Sequence, residues 1–448
     1  MCFRLFLGFL LASFAFAQNN EKPSAATAAD EDFKIYVEHP RLLLKPQRLR
    51  LLRRERERRS QRWSQFETLL VGKVAMPEPG FSDALFYQIA GDETAGKRAV
   101  TWAVGTGNDL RQLAIVNDWC QPLMSDIQKK AIEQKIERGL AQTAAANDFS
   151  TVRARAMAAI SVGASDPLEK IIRVWWRQKI APALKGGSRT LDRSEIYPLF
   201  EMMHSVRDNV SIDMRESAPK FFQDLPASLL LTYYPAIFPA AENDYRIPVY
   251  PGGADPDLNV AAMSRAADLS IVSYDSNSHE SQFLQGWLIH DKFMLHGPLG
   301  APYEFLWANP YQPGLSYFYL PLRFHDDIAG RLFLRSSWDD DALWLGYFGG
   351  KVQVFRDGMV QAMSLASQKG PTIIGDSAVL LAKPPMKLDL PPDHPVFYFL
   401  VGLKPDHKYL VEADDEELTE LETDHGGILP LLVQRKEGYG VRIAEGPQ

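Results

Sequence analysis

Gly330-Arg-Leu-Phe-Leu-Arg-Ser-Ser-Trp-Asp-Asp-Asp-Ala-Leu-Trp-Leu-Gly-Tyr-Phe-Gly-Gly350 decides how the chain reads. Arg331 to Ser337 alternates apolar Leu332 and Leu334 with other residues, and Leu343 to Phe348 is aromatic and aliphatic. Between them, Ser336 to Asp341 forms a polar corner carrying Trp338. Period-two alternation on either side of an acidic turn predicts an antiparallel hairpin, with Gly349-Gly350 closing it. Strands should continue to about residue 382, broken at Gly358 and Gly370. After the prolines of Lys383-Pro-Pro and Pro391-Pro392, short apolar runs at Val396 to Leu403, Tyr409 to Ala413, Ile428 to Val433 and Gly440 to Ile443 alternate with turn signals. That spacing predicts a small C-terminal β-sandwich.

Upstream, the periodicity is helical. Apolar residues recur at helical spacing through Leu42 to Trp63, Ala84 to Ile89, Ala99 to Val104, Leu110 to Trp119, Ile127 to Leu140 and Ile171 to Ile180. Gly91-Asp-Glu93 and Ser165-Asp-Pro167 supply capping chemistry between them. Helix pairs joined by such short turns suggest an α/α toroid. Leu258 to Val272 reads as one more helix, and Pro302 to Phe324, dense in proline and aromatics, reads as irregular. The arginine run Arg48 to Arg62 is offset by Glu55 and Glu57 and reads as the solvated face of the first helix. The expected fold is multidomain α+β: an N-terminal α/α toroid, an incomplete barrel of helix pairs, over 39–275; an antiparallel β-sandwich over 276–383; and a small β module over 393–448.

A net charge of −7 over 448 residues argues against nucleic acid as a partner and gives no reason to expect an anionic membrane surface. Met1 to Ala17 has one Arg4, an apolar run from Leu5 to Leu11 and small residues at Ala15 and Ala17, the grammar of a signal peptide cleaved before Gln18. The mature chain is therefore expected in the periplasm or medium, with a disordered leader over 18–38. No other run approaches the roughly 18 apolar residues of a membrane span. Removal of Cys2 leaves Cys120 alone, which excludes an internal disulfide and a cysteine-rich metal site. Neither metal nor cofactor is expected.

The hairpin, with its Arg-Ser-Ser-Trp-Asp corner and Gly-Gly, resembles the strand pair that opens the β-sandwich of heparinase II/III-like polysaccharide lyases. His39-Pro-Arg-Leu-Leu-Leu44 is similar to that family's lead-in to its first helix. Leu113-Ala-Ile-Val-Asn-Asp-Trp119, followed by Pro122-Leu-Met-Ser-Asp126, is similar to its helix and turn, with Asn117 where Tyr is usual. The resemblance implies a toroid followed by a sandwich, with an acidic polysaccharide recognised, and cleaved by β-elimination, in the cleft between them. The family's Asn-Asn-His triplet falls on Ala146-Asn147-Asp148, where the central Asn matches. Its Tyr-bearing loop falls near Ser194 to Tyr197. Its sandwich histidines would fall in Lys351 to Gly358, yet the chain has no histidine between His325 and His394.

Eliminating across a uronate needs a group to neutralise the carboxylate, a base for the α-proton and an acid for the leaving oxygen. Tyr197, Glu201, His204 and Asp208 share one helix face by spacing, opposite Leu199, Met203, Val206 and Val210. Tyr197, His204 and Asn147 are the candidate catalytic residues; Glu201, Arg207, His279, Glu280, Tyr303, Trp307 and Tyr311 are candidates for substrate binding. The bland alternatives are a solvated amphipathic face for the helical set, a helix-ending loop for Asn277 to Gln282, and core packing for the aromatics. His325-Asp-Asp327 reads as a turn. Two functional alternatives stand beside the lyase: a carbohydrate-binding or scaffold protein that lost the histidines, and a glycoside hydrolase on the same architecture.

Overall fold

The structure is a computed structural model and describes residues 32–448 apart from 253, 364–369, 391, 392, 394, 414–416, 434–437, 447 and 448. The expected signal segment, 1–17, and most of the expected leader, 18–38, lie outside the described residues. Ile35 is buried, so ordered core begins before the expected end of the leader at Glu38.

The helical part comprises α1 (Pro46–Glu57), α2 (Gln61–Val71), α3 (Pro79–Ala90), α4 (Glu93–Val104), α5 (Leu110–Trp119), α6 (Asp126–Gln142), α7 (Phe149–Val162), α8 (Ser165–Lys170) and α9 (Ala181–Lys185). A π-helical stretch, Ile171–Ile180, joins α8 to α9. Then come α10 (Arg193–Val210), α11 (Pro219–Leu231), a hairpin of β1 (Tyr233–Pro239) and β2 (Asp244–Pro248), α12 (Leu258–Tyr274), α13 (His279–Asp291) and α14 (Gly297–Trp307). Helices α3, α5, α7, α10, α12 and α14 pack side by side as an inner ring, which returns to α3 through α1 and α2. The α/α toroid of helix pairs expected from the sequence is thus present.

Burial explains the two tiers. Every residue of α5 from Arg111 to Trp119 is buried, as befits a helix with neighbours all round, whereas outer α6 buries only Ile132 and Ile136. Aspartate and serine caps start the helices: Asp92, Asp109, Asp148, Asp257 and Ser278 each accept from first-turn amides, and Ser125 forms a capping box with Gln128.

Two of the sequence motifs meet here. The Asp118 carboxylate accepts from the backbone amides of Arg41 and Leu42 and bonds His39 Nδ1 at 2.5 Å, while Trp119 Nε1 donates to the Leu42 carbonyl at 2.9 Å. His39 to Leu44 and Asn117 to Trp119 therefore fasten the start of the chain to the inner ring. They carry structure, not chemistry.

The toroid runs past the expected boundary at 275, since α13 and α14 complete it. Pro298 and Pro302 disguised α14 as a loop. Pro298 sits in the first turn, where no amide is needed, and the buried stripe Tyr303, Phe305, Leu306 and Trp307 offsets the amide lost at Pro302.

Beyond the β1–β2 hairpin, the strands among the described residues form three sheets. The first is a meander of β3 (Arg323–Asp326), β4 (Arg331–Arg335), β5 (Trp344–Phe348), β6 (Lys351–Arg356) and β7 (Met359–Met363). The expected hairpin is β4 with β5, in register Leu332 to Tyr347 and Leu334 to Leu345. Gly349-Gly350, both at positive φ, close the next hairpin instead, pairing Phe348 with Lys351. The second sheet orders β14 (Leu429–Leu432), β11 (Phe397–Val401), β9 (Ser377–Leu381) and β8 (Thr372–Ile374), with β9 and β11 parallel. The third orders β10 (Met386–Leu390), β15 (Tyr439–Glu445), β12 (Lys408–Ala413) and β13 (Glu417–Glu422).

These sheets stack as layers. Val379, Phe399 and Val401 face Leu332, Leu345 and Val354 of the first sheet, while Ala378, Leu380, Tyr398 and Leu400 face Tyr409, Val441 and Ile443 of the third. The middle sheet is buried on both faces, which is why Phe397-Tyr-Phe-Leu-Val401 is apolar throughout. The strands consequently do not divide into separate modules at 383–392; β9 and β11 belong to one sheet. The remaining face of the first sheet lies on the toroid, where Trp344 Nε1 donates to the Leu231 carbonyl at 2.7 Å. Gly346 leaves room for that indole, because a Cβ there would lie 2.4 Å from it.

Candidate functional site

Helix α10 lies in the middle of the inner ring, so both of its faces are buried, the expected polar face included. Tyr197, Glu201 and His204 have relative exposures of 0%, 0% and 1%. Glu201 accepts from Arg111 Nε and Nη2 at 2.8 and 2.6 Å, Arg153 Nη1 at 3.0 Å and the Tyr197 hydroxyl at 2.8 Å. Arg111 continues to Glu78 at 3.0 Å, Tyr303 donates to the same Glu78, and Trp307 Nε1 donates to the Tyr197 oxygen at 3.0 Å. Burial pushes the Glu201 carboxyl up, but Arg111 and Arg153 overcome it and hold the group below the usual carboxylate range. Burial, with Arg48 adding to it, holds His204 well below the ordinary imidazole value, so the ring is neutral; its Nε2 faces the Ser270 carbonyl at 2.9 Å. Burial and Glu201 raise Tyr197. These groups cross-brace α5, α7, α10 and α14 where no substrate reaches them, which corrects the catalytic assignment of Tyr197 and His204 and the binding roles of Glu201, Tyr303 and Trp307.

The remaining candidates are scattered. Asn147 is exposed in the turn before α7, with its amide on the Ala145 carbonyl. Arg207 lies 3.7 Å over the Tyr274 ring and donates to the Tyr274 carbonyl, closing the end of α10. His279 and Glu280 occupy the first turn of α13, and Glu280 borders a recess with Arg215, whose guanidinium is already held by Asp213 and Asp275. Tyr311 is half-exposed and accepts from Arg58 at 2.9 Å. The segment Lys351 to Gly358, where the lyase resemblance wants histidines, holds Gln353 and Phe355 among its residues. Gln353 accepts from Tyr234 at 3.0 Å, and Phe355 stacks on the Tyr234 ring at 5.2 Å, both buried against the toroid.

Two cavities open where the toroid meets the first sheet. The larger, about 440 Å³, is walled by Leu184, Leu191, Ile196, Phe221, Phe324 and Phe348, and its arginines are committed to their own carboxylates, as Arg331 is to Asp326 at 2.7 Å. The smaller, about 360 Å³, is polar and aromatic: Tyr233, Arg246, Trp287, His290, Asp291, Tyr317, Phe318, Arg335, Trp338, Asp339 and Asp340 line it. Its walls are rings: Tyr233 stacks on Trp287 at 5.2 Å, Tyr317 on Phe318 at 4.5 Å, and Tyr317 meets Trp338 edge-on at 5.3 Å. Arg246 joins Asp291 at 2.8 Å to Asp340 at 2.9 Å, bridging α13 and the corner after β4.

Arg335 differs from Arg246, the other arginine lining this cavity. It is 5% exposed, donates only to the carbonyls of Ser337 and Asp339, and among the described residues has no carboxylate within ion-pair distance. Burial, with Arg246 beside it, pushes its guanidinium down to about 10. A buried cation without a counter-ion, facing a cavity, is a site for an anion. The sequence displayed this corner in Arg335 to Asp341, yet turn chemistry and ligand chemistry use the same residues there. Arg246, Trp287, His290 and Asp291 carried no motif at all.

Behind the cavity, Tyr233 donates to Asp268 at 2.6 Å, and Arg193 stands 3.6 Å from that fully buried carboxyl. Burial raises Asp268 to about 6, Arg193 opposing. Because its folded value exceeds the unfolded one, Asp268 binds a proton more readily in the folded state, so its contribution to stability declines as pH rises from about 4 to 6. Asp268→Asn should therefore flatten the stability profile in that window relative to the parent, the difference growing to about 2–3 kcal/mol by pH 7. Urea midpoints at several pH values would check it; parallel profiles would refute it.

No protein-family model and no curated protein matches the chain. Among solved structures, a glycoside hydrolase aligns at 9% identity and a TM-score of 0.29, covering 82% of this chain and 71% of its own. A GH127 β-arabinofuranosidase aligns at 10% identity and the same TM-score of 0.29, covering 93% of this chain and 80% of its own.

Proposed function

We propose that the protein recognises an acidic saccharide in the cavity between α13 and the Ser336 to Asp341 corner, with a uronate carboxylate on Arg335 and sugar faces on Trp338, Trp287 and Phe318. The observation that carries this is the buried, unpaired Arg335 at the back of an aromatic-walled cavity. Rings stack on the apolar faces of sugars, and a carboxylate supplies the counter-charge Arg335 lacks. Asp291, Asp339 and Asp340 supply acceptors for hydroxyls.

A second reading adds cleavage. His290 lines the same cavity beside Tyr317 and Phe318, at 5.6 and 5.5 Å between rings, and an imidazole beside a neutralised uronate has the make-up of an elimination site. Titrating a panel of neutral and acidic oligosaccharides against tryptophan fluorescence tests recognition, and preference for neutral sugars would sink the acidic reading. Ultraviolet absorbance of an unsaturated uronate marks elimination. Reducing-end release without it marks hydrolysis, for which Asp291 and Asp340 are the carboxylates at hand.

A further inference from the structure

We infer that the site continues outside the cavity onto a stacking platform at Tyr319, which takes the next units of a polymeric saccharide; this rests on the saccharide reading of the cavity. Tyr317 to Tyr319 form a single 3₁₀ turn, in which successive side chains diverge by about 120°. Tyr317 turns inward at 4% exposure, Phe318 stands at the mouth at 50%, and Tyr319 projects outward at 86%. Ile289 and Leu315 flank the turn as further exposed apolar residues. An apolar rim continuous with a polar, ring-walled cavity fits a ligand larger than the cavity holds.

The platform is fixed in place rather than a loose loop. The Leu315 amide donates to the Gln282 carbonyl at 2.9 Å, and the Leu315 carbonyl lies so close to α13 that a Cβ on Gly286 would meet it at 1.7 Å. Gly286 thus lets the segment dock backbone to backbone on the helix that supplies Trp287, His290 and Asp291. A ring presented on such a support loses little conformational freedom when a sugar stacks on it.

The test uses the full chain and defined-length ladders of oligogalacturonate and oligomannuronate, titrated by calorimetry against the parent, Tyr319→Ala and Tyr319→Phe. The expected result is parent affinity that rises with length, a loss of about 3- to 10-fold for long oligomers in Tyr319→Ala, no change for the shortest oligomer that binds, and full affinity in Tyr319→Phe. Thermal midpoints should not move, because Tyr319 packs against little. Length-independent affinity in the parent overturns the platform and leaves the cavity reading standing, as does equal affinity of Tyr319→Ala for every length. A parent that binds neither ladder overturns both. A Tyr319→Ala chain with altered sedimentation and unaltered affinity assigns the patch to self-association and also overturns the platform.

Discussion

Glu201→Gln is expected to destabilise the protein by about 3–5 kcal/mol, read as a fall in urea midpoint, because it leaves Arg111 buried with its main counter-charge gone. The Arg111 side chain is 1% exposed, and both contacts with Glu201 are charge-assisted. A neutral amide offers one acceptor where Glu201 serves Arg111, Arg153 and Tyr197 together, and its own N–H groups point hydrogen at hydrogen. Glu78, the other partner of Arg111, is partly solvated and gives incomplete relief. Combining Glu201→Met with Arg111→Met should recover much of the loss, since apolar side chains of similar volume remove the charge and its partner together. A functional carboxylate would behave in the opposite way, costing turnover while leaving stability intact. A Glu201→Gln midpoint within about 1 kcal/mol of the parent would contradict the cross-bracing role.

The same helix shows how far the sequence reached. Spacing put Tyr197, Glu201, His204 and Asp208 on one face; Tyr197 and Glu201 share one polar network, while His204 meets the Ser270 carbonyl and Asp208 pairs with Lys45. Spacing alone does not state what the face meets. On an outer helix this pattern faces water; on α10 it faces α5, α7 and α14, and the charges become internal braces. The β4–β5 hairpin was legible because alternation and an acidic corner are local signals, as was the cap at Asp92, whereas Ser165 lies inside α8 behind Ala164 and no side chain caps that helix. The middle sheet was not, because parallel pairing of β9 with β11 spans a proline-rich segment that reads as a boundary. Ring closure by α14 escaped for a similar reason, its prolines being punctuation elsewhere. The cavity was least legible of all: Arg246, Asp291 and Arg335 come from a hairpin, a helix and a strand end that only the fold brings together.

Arg335→Met is expected to abolish most recognition of an acidic saccharide while changing stability little. The guanidinium is pushed to about 10 by burial and by Arg246, so holding it charged costs the folded state about 3 kcal/mol at neutral pH. Its bonds to the Ser337 and Asp339 carbonyls return part of that, and Met removes cost and return together, leaving a net change within about 1 kcal/mol. Affinity has no such compensation. A bound carboxylate loses a buried, charge-assisted partner, about 2–4 kcal/mol, or roughly 30- to 1,000-fold in Kd. Arg335→Lys keeps the charge and loses the planar fork, so it should fall between the two. Ligand-induced thermal stabilisation supplies an independent readout: a uronate that binds the folded state raises the parent's midpoint and leaves that of Arg335→Met where it was. A variant that is both destabilised and fully competent to bind would show that Arg335 holds only its own corner, and the anion site would have to be sought at Arg246, whose two carboxylates already satisfy it.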